Sequence, residues 1–404
     1  MSKETVLYLG NFLNEEIVIE RKLPTNNTAG SNRIKRISQA LSLSYEVKII
    51  SSAITLRNKF NRNNLILKKK SKIDNGIEII FAKTLAIPVL GLLFSHITYP
   101  LEVLKNIRKN KVKNLVLYNF GSLNIITLFI IKIFIPRIKI LNNIEDISVF
   151  SFKDFSLKSE DNLLQQLFFS VSMKITAFLS HGYIIPTERF LPFLPSKKNI
   201  LVINGCIKVN KFSEVKNRND LNILFAGKIA FEHGIKEFIE CLKIYDAEKN
   251  DLNVKFNITG TGPKSNWLKQ ELESIDFVDV EYHGFVTDKK YSSILADASI
   301  CIALQKPDGR HANYKTPSKV YEYLGNSKIV VATNVGDFKE IQGNLIRICD
   351  PLNARNLKLI IDDILSKRDN ISELSKKVNH YAFENYDYSN VSKKLQKLIK
   401  NVNS

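Results

Sequence analysis

The second half of the chain alternates short apolar runs with helical patterns, and this alternation constrains the fold more than any other feature. The apolar runs have the length of strands and lie at 221–226, 254–259, 278–282, 298–304, 329–333 and 345–348. Helical patterns separate them, at 235–248, 264–274, 289–296, 317–324 and 354–366. Such alternation is typical of a mostly parallel sheet that is covered by helices on both faces.

The first half of the chain follows the same pattern less cleanly. Strands are predicted at 6–9, 46–51, 77–82, 115–119, 138–142 and 182–186, and helices at 31–43 and 161–179. We therefore expect an α/β protein with two doubly wound, Rossmann-like domains. Polar residues replace the apolar pattern at 208–220, so the expected domains are 1–208 and 209–387.

Composition excludes a disordered chain and sets the expected compartment. A chain of 404 residues with 44% hydrophobic residues can bury two cores. Its four cysteines lie far apart with no C-x-x-C pair, so neither a disulfide framework nor a zinc site is indicated. Residues 1–10 resemble a first strand rather than a signal peptide, and we expect a cytoplasmic protein.

The net charge of +19 lies almost entirely in the first half. Residues 1–215 contain 31 Lys and Arg against 15 Asp and Glu, whereas the remainder contains 28 against 25. Nucleic acid, anionic lipid and a diphosphate-bearing substrate are all attracted to such a surface. The chain has no helix-turn-helix, zinc-finger or RNA-recognition signature, so nucleic acid is not expected as a partner and remains only an alternative.

Two apolar segments in the basic half, 85–101 and 115–136, favour a membrane surface as one partner. The second has transmembrane length, but polar residues interrupt it, and we interpret it as a strand, a loop and a helix at 123–135. The first contains Pro88, Gly91 and Pro100 and suits a loop-helix insert. Lysine and arginine flank both segments, so we expect peripheral association with the inner face of an anionic membrane.

The segment 316–325 can form a phosphate site. Thr316 is a suitable N-cap, Pro317 suits the first helical position, and Gly325 can end the helix in a left-handed conformation. The N–H groups of Ser318 and Lys319, the helix dipole and the Lys319 ammonium would then converge on one point. Glu322, one turn later, could accept hydrogen bonds from sugar hydroxyls.

This segment resembles the donor-binding helix of family 4 glycosyltransferases, which carry a Pro-Ser-Lys-x-x-Glu-Tyr version of a Glu-x7-Glu motif. Glu322 stands at the second Glu position, and Tyr314 replaces the first. The resemblance implies the GT-B architecture, with two Rossmann-like domains facing a cleft. It also implies that a last helix at 388–400 crosses back to complete the N-terminal domain.

Three further loops of the second half resemble the donor site of the same family. Gly227 and Lys228 match a Gly-Arg pair, with Lys228 at the arginine position, and His233 stands at the position of a phosphate-binding lysine. The other expected donor contacts are Gly260, Gly262, Phe285, Val286, Tyr314, Pro317 and Ser318. Lys binds phosphate as a point charge, without the bidentate geometry of Arg.

The expected acceptor residues lie in the first half. Gly30 and Ser31 resemble a glycine-rich acceptor loop, with Ser31 as a possible N-cap, and Asn119 is a further candidate. Glu145 and Asp146 follow a predicted strand and could orient a hydroxyl of the acceptor or of the donor sugar. Together with Lys228, Lys319 and Glu322, they are the candidate catalytic residues.

The resemblance implies a retaining, hexosyltransferase-type enzyme that uses a nucleotide-diphosphate sugar. A glycan or lipid-linked acceptor in capsule, O-antigen or exopolysaccharide assembly would be its substrate. The leaving diphosphate would be stabilised by Lys228, Lys319 and helix N-termini, so no metal and no other cofactor are expected. Two alternatives stay open, namely a non-catalytic scaffold with the same fold and a nucleotide-sugar epimerase.

Overall fold

The computed structural model describes residues 3–23, 28–54, 65–119, 122–145, 171, 174–176, 178–194, 199–212, 221–249, 253–306, 314, 316–338, 341 and 345–404. The chain divides into two compact units. The first unit is Met1–Cys206 together with Tyr388–Ser404, and the second unit is Ile207–Asp387. The expected join at 208 lies two residues beyond this division. Ile207 groups with the second unit because its N–H donates to Tyr386 O at 3.0 Å.

The described strands and helices are numbered in chain order. The strands are β1 Thr5–Leu9, β2 Glu46–Ser51, β3 Ile66–Leu67, β4 Lys70–Asp74, β5 Ile77–Phe81, β6 Thr84–Leu85, β7 Asn114–Tyr118, β8 Lys139–Asn143, β9 Gly182–Ile185, β10 Ile200–Val202, β11 Leu221–Ala226, β12 Val254–Thr259, β13 Val280–Tyr282, β14 Ile300–Ala303, β15 Ile329–Thr333 and β16 Ile346–Cys349. The helices are α1 Glu15–Arg21, α2 Thr28–Ser42, α3 Pro88–Asn110, α4 Ser122–Phe134, α5 Ile235–Glu248, α6 Ser265–Leu272, α7 Asp288–Asp297, α8 Ser318–Gly325, α9 Ala354–Ser366, α10 Ile371–Tyr386 and α11 Tyr388–Asn403.

The first unit is a three-layer α/β/α structure. Its sheet has the order β10-β9-β8-β7-β1-β2-β5-β4, and every neighbouring pair is parallel except β4 with β5. Helices α2 and α11 pack together on one face. On the other face, apolar residues of α3 and α4 form a second core with Leu7, Leu115 and Ile140 of the strands. The last helix thus completes the first unit, as the resemblance implied.

Helix α3 corrects one sequence-based expectation. Residues 85–101 were expected to form a loop-helix insert, but 88–110 form one 23-residue helix. Pro88 occupies its first turn, where a missing N–H costs nothing, and Pro100 lies inside it. In the part of the chain that is described, no helix is both long enough and apolar enough to cross a membrane.

The second unit is also an α/β/α structure. Its all-parallel sheet has the order β13-β12-β11-β14-β15-β16. Apolar residues of α5, α6 and α9 pack on one face and those of α7, α8 and α10 on the other. The predicted fold class is therefore confirmed. Six of the described elements were not predicted from the sequence: the helices α1 and α10 and the strands β3, β4, β6 and β10. The strands β3, β6 and β10 have only two or three residues, and β4 is a polar edge strand.

We predict that Leu395→Ala destabilises the first unit by about 2–5 kcal/mol, because Leu395 is fully buried in the core that α11 shares with the sheet. Denaturant unfolding followed by circular dichroism would measure the change. Lys397→Ala, on the exposed side of the same helix, is the matched control and should stay within about 0.5 kcal/mol of the unaltered protein. Equal effects of the two substitutions would contradict the role of α11.

Candidate active site

The predicted donor loops of the second unit follow the carboxyl ends of its strands. The chain leaves β11 toward β12 on one side of the sheet, and β14 lies on the other side. Ligands of open parallel sheets bind at such a reversal of strand order. Residues 227–234, 260–264, 283–287 and 304–306 lie at this edge and precede α8, whereas 307–313 and 315 lie outside the described residues.

Backbone contacts join three of these loops. Gly227 N–H donates to Thr259 O at 3.0 Å, and Gly260 N–H donates to Gly284 O at 2.7 Å. Gly260 has φ +116°, and a Cβ there would lie 1.8 Å from Gly227 O. The glycines were expected to let the backbone approach a ligand. At Gly260 the close neighbour is instead another loop, and a Cβ at Gly262 would likewise lie 2.3 Å from Ile229 O.

Lys319 lies against the first of these loops. A Cβ built on Gly227 would be 3.3 Å from Lys319 Cε, so the lysine stem runs beside that glycine. The Lys319 ammonium lies 5.1 Å from the ring centroid of Tyr291 and 6.0 Å from that of Tyr323. Cation–π contacts of this kind hold an ammonium while leaving it charged. The Lys319 side chain thus lies against the loop that also carries Lys228, the other cation predicted for this site.

The helix that carries Lys319 differs from the prediction at both ends. It begins at Ser318 rather than Pro317, and Pro317, not Thr316, occupies the N-cap without a side-chain cap bond. Gly325 is the last helical residue, and the left-handed residue is Ser327, with φ 62°. A Cβ at Gly325 would lie 2.4 Å from Ile207 Cδ1, so a larger residue there would displace the end of that side chain. Ser318 and Lys319 still occupy the first turn, whose N–H groups have no partner within a helix.

Two tyrosines, Tyr291 and Tyr323, lie next to Lys319, and Tyr291 also lies next to Glu322. Burial and the neighbouring Glu322 carboxylate raise the pKa of Tyr291, so Tyr291 stays neutral beside that acid. Tyr323 is fully buried, and its hydroxyl points to Ala226 O at 3.5 Å, a long contact at the end of β11. Tyr314, which replaces the first Glu of the motif, is half-buried. Tyr291 lies on α7, outside every sequence motif, so it could not be predicted as a site residue.

Lys228 is paired with an acid that the sequence analysis did not consider. Its Nζ lies 3.0 Å from Glu232 Oε1, and both side chains are about half exposed. A backbone N–H and the Lys228 ammonium lower the pKa of Glu232, so this carboxylate stays charged. His233 ends the same short 3-10 turn and is half-buried. Glu232 therefore competes with any phosphate for Lys228.

The third loop exposes an aromatic ring. Phe285 is 83% exposed, and Val286 beside it is half-buried. The preceding His283 is held by Asn257 Oδ1 at 3.0 Å and by Glu281 Oε1 at 3.1 Å. Burial lowers the pKa of His283, against the effect of Glu281. The loop is thus anchored at His283 and offers Phe285 as a surface on which a flat base can stack.

The predicted acceptor residues divide into two groups. Gly30 and Ser31 lie buried in the first turn of α2, which begins at Thr28. Ser31 is therefore not the N-cap, and its hydroxyl accepts the Leu13 N–H at 2.9 Å. Asn119 and Glu145 lie together, since Asn119 Oδ1 accepts the Glu145 N–H at 2.7 Å. Asp146 lies outside the described residues.

The described residues contain no group of three or more His, Cys, Asp or Glu that could hold a metal ion. At the donor loops, the ammonium groups of Lys228 and Lys319 and the first turn of α8 can contact an anionic ligand. Positive charge and exposed N–H groups in one place suit a phosphate.

Residues 220–367 match the family model described as glycosyl transferases group 1. Over these residues the chain is similar to group 1 glycosyltransferases, the class of enzyme that the sequence resemblance indicated. The matched region contains all four donor loops and α8. A comparison with curated protein sequences finds no match.

Solved structures of low sequence identity share the fold over the whole chain. A glycosyltransferase from Rickettsia africae ESF-5 superposes with TM-score 0.65 at 16% identity, covering 100% of this chain and 99% of that one. Sucrose-phosphate synthase from Thermosynechococcus elongatus gives 0.63 at 12%, with 98% of each chain covered. Anabaena HepE, in complex with UDP and glucose, gives 0.60 at 13%, with 98% and 99% covered. These similarities support the GT-B architecture.

We predict that Glu232→Gln tightens binding of UDP about two- to fivefold, because it removes the carboxylate that competes with phosphate for Lys228. Calorimetric titration at low salt would measure the affinity. Glu240→Gln is the matched control, because Glu240 pairs with Lys236 at the same sequence spacing, on α5 and away from the loops. Unchanged affinity in Glu232→Gln, or an equal gain in the control, would contradict the competition.

Proposed function

We propose that this protein is a group 1 glycosyltransferase, which transfers a hexose with retention from a nucleotide-diphosphate sugar to a glycan or lipid-linked acceptor in the assembly of a surface polysaccharide. The observation that carries the proposal is the contact between Lys319 and Gly227 at the strand-order reversal of the second sheet. It sets an ammonium, a loop that bears Lys228 and the first turn of α8 side by side. The structure of Anabaena HepE, which is similar in fold and contains UDP and glucose, supports a nucleotide-diphosphate sugar as the donor.

In the proposed mechanism, catalysis comes mainly from stabilising the leaving diphosphate. Lys319 and Lys228 neutralise the charge that develops on it, and the N–H groups of Ser318 and Lys319 donate to its oxygens. Phe285 stacks on the base, and Glu322 accepts hydrogen bonds from the sugar. His233, Val286, Tyr314 and Pro317 complete the donor contacts, while Gly260 and Gly262 hold the loops in place.

We predict that Lys319→Ala weakens nucleotide-sugar binding about 10- to 100-fold, the cost of losing a hydrogen bond to a charged group. Thermal-shift titration with uridine, guanosine and thymidine diphosphate sugars would identify the donor and measure the loss. Lys289→Ala, an exposed lysine on α7, serves as the control and should bind normally. A Lys319→Ala protein that binds the donor like the unaltered protein would exclude this site.

The same screen tests the first alternative, and an assay of acceptor-dependent turnover tests the second. A non-catalytic scaffold would gain no thermal stability from any nucleotide sugar, because only a ligand that binds the native state raises the melting point. An epimerase would change the sugar without needing an acceptor. A transferase releases nucleoside diphosphate at an increased rate when an acceptor such as an alkyl glycoside is added.

We further propose that the first unit lies on the inner face of an anionic membrane. Helix α3 exposes more than half of each of five apolar side chains, Val89, Leu90, Leu93, Ile97 and Leu101. The row continues along the helix with the exposed cations Lys105, Arg108 and Lys109. The adjacent helix α4 exposes Ile126, Phe129, Ile133 and Phe134. Apolar side chains beside a basic end are the combination that binds an anionic bilayer.

We predict that the double substitution Leu93→Ser with Ile97→Ser weakens binding to phosphatidylglycerol vesicles roughly tenfold or more, because two exposed side chains no longer enter the lipid. Vesicle co-sedimentation would measure binding. The control is Ile73→Ser, since Ile73 on β4 is 72% exposed but lies outside α3 and α4. Added salt should weaken binding of the unaltered protein. If the double substitution left vesicle binding unchanged, α3 would not be part of the membrane contact.

A further inference from the structure

A polar network lies where the strand order of the first sheet reverses. The chain passes from β1 to β2 on one side, and β7 and β8 lie on the other side. Tyr8 of β1, Tyr118 of β7 and Asn143 of β8 are brought together beside Glu145 at the carboxyl edge. The corresponding place in the second sheet holds the donor loops, so this edge is the natural ligand site of the first unit.

Glu145 is anchored at two points by consecutive residues of one turn. The Tyr118 hydroxyl donates to Glu145 Oε2, and Asn119 Oδ1 accepts the Glu145 N–H at 2.7 Å. Asn119 itself has φ 50°, and its N–H donates to Asn143 O at 2.9 Å. The side chain and the backbone of Glu145 are therefore held by the end of the neighbouring strand.

The chemistry of Tyr118 suits it to hold a carboxylate permanently. Burial, and then the Glu145 charge, raise the pKa of Tyr118, so its hydroxyl keeps its proton and remains a donor. Arg33, which is only 8% exposed and donates to Ile203 O at 2.8 Å, acts against this rise. A carboxylate has about four lone-pair sites, so one that accepts a hydrogen bond from a tyrosine hydroxyl can accept others as well.

We propose that Tyr118 is a positioning residue for the acceptor, which orients the Glu145 carboxylate so that it accepts a hydrogen bond from a hydroxyl of a glycoside. This inference rests on the proposed function and adds to it a residue, Tyr118, that no sequence motif contains. Tyr118 does not touch the substrate and acts only through Glu145. The acceptor class is a hydroxyl-bearing sugar, free or attached to an apolar chain.

The test compares two buried tyrosines of the first unit, one inside the network and one outside it. With the best nucleotide sugar from the thermal-shift screen and an octyl glycoside as acceptor probe, Tyr118→Phe should raise the acceptor KM roughly 10- to 100-fold, as expected for a lost hydrogen bond to a charged group. The thermal shift produced by the nucleotide sugar should not change. Tyr99→Phe is the matched control, because Tyr99 of α3 is also buried and its hydroxyl donates to Ile50 O, at 3.2 Å, and not to Glu145. Its acceptor KM should change less than about threefold.

A double-mutant cycle distinguishes positioning from general damage. In a Glu145→Gln background, Tyr118→Phe should have almost no further effect on acceptor KM, because its partner has been changed already. Glu145→Asp, which withdraws the carboxylate from Tyr118, should reproduce the rise in KM even if Tyr118→Phe does not fold. Multiplicative effects in the cycle, or an unchanged KM in Tyr118→Phe, would overturn the proposal.

The measurements distinguish a failure of the proposed acceptor site from a failure of the proposed function. If the unaltered protein binds nucleotide sugar but calorimetry detects no octyl glycoside binding to the donor-saturated protein, the acceptor site proposed here is wrong and the donor site stands. If no nucleotide sugar raises the melting point, the proposed function itself fails.

Discussion

The backbone contact between Gly227 and Gly260 positions the whole donor edge of the second unit. Because neither residue carries a Cβ, the loops after β11 and β12 approach closely enough for Gly227 to bond Thr259 and for Gly260 to bond Gly284. The Lys319 stem then lies beside Gly227. Any side chain at position 260 would separate the loops, since it would collide with a carbonyl that cannot rotate away.

The positive charges of the donor edge are held by neighbours rather than left to move freely. Lys319 lies over the rings of Tyr291 and Tyr323, and Lys228 pairs with Glu232. The two arrangements have different consequences. An ammonium over an aromatic ring stays charged, whereas an ammonium paired with a carboxylate must leave that partner before it binds another anion. Lys319 is thus placed by aromatic rings, and Lys228 is placed by an acid.

The first unit has exposed apolar side chains on two of its helices and a polar pair at the carboxyl edge of its sheet. The exposed apolar side chains of α3 and α4 lie on helices that cover one face of the sheet, while the Tyr118–Glu145 pair lies at the carboxyl ends of the strands. A lipid-linked acceptor has both an apolar chain and a hydroxyl-bearing sugar. One unit that offers an apolar surface and a positioned carboxylate fits a substrate of this kind.

Much of the fold and part of the site could be predicted from the sequence. Strand periodicity located β11 to β16, and the Pro-Ser-Lys segment located the helix that carries Lys319, because both are local patterns of a few residues. The helix ends were less predictable. The Ser31 hydroxyl accepts the Leu13 N–H instead of capping its own helix, and the left-handed residue after α8 is Ser327 instead of Gly325.

What the sequence by itself determined is therefore the α/β class, the order of its elements and the residues that reach the carboxyl edges. Only the tertiary structure decided which side chains meet there. Tyr291 beside Glu322, Glu232 beside Lys228 and Tyr118 beside Glu145 are partners of this kind. The physical reason is that sheet order brings together residues far apart in the chain, and even the near pair Lys228 and Glu232 depends on a turn whose backbone is fixed by neighbouring loops.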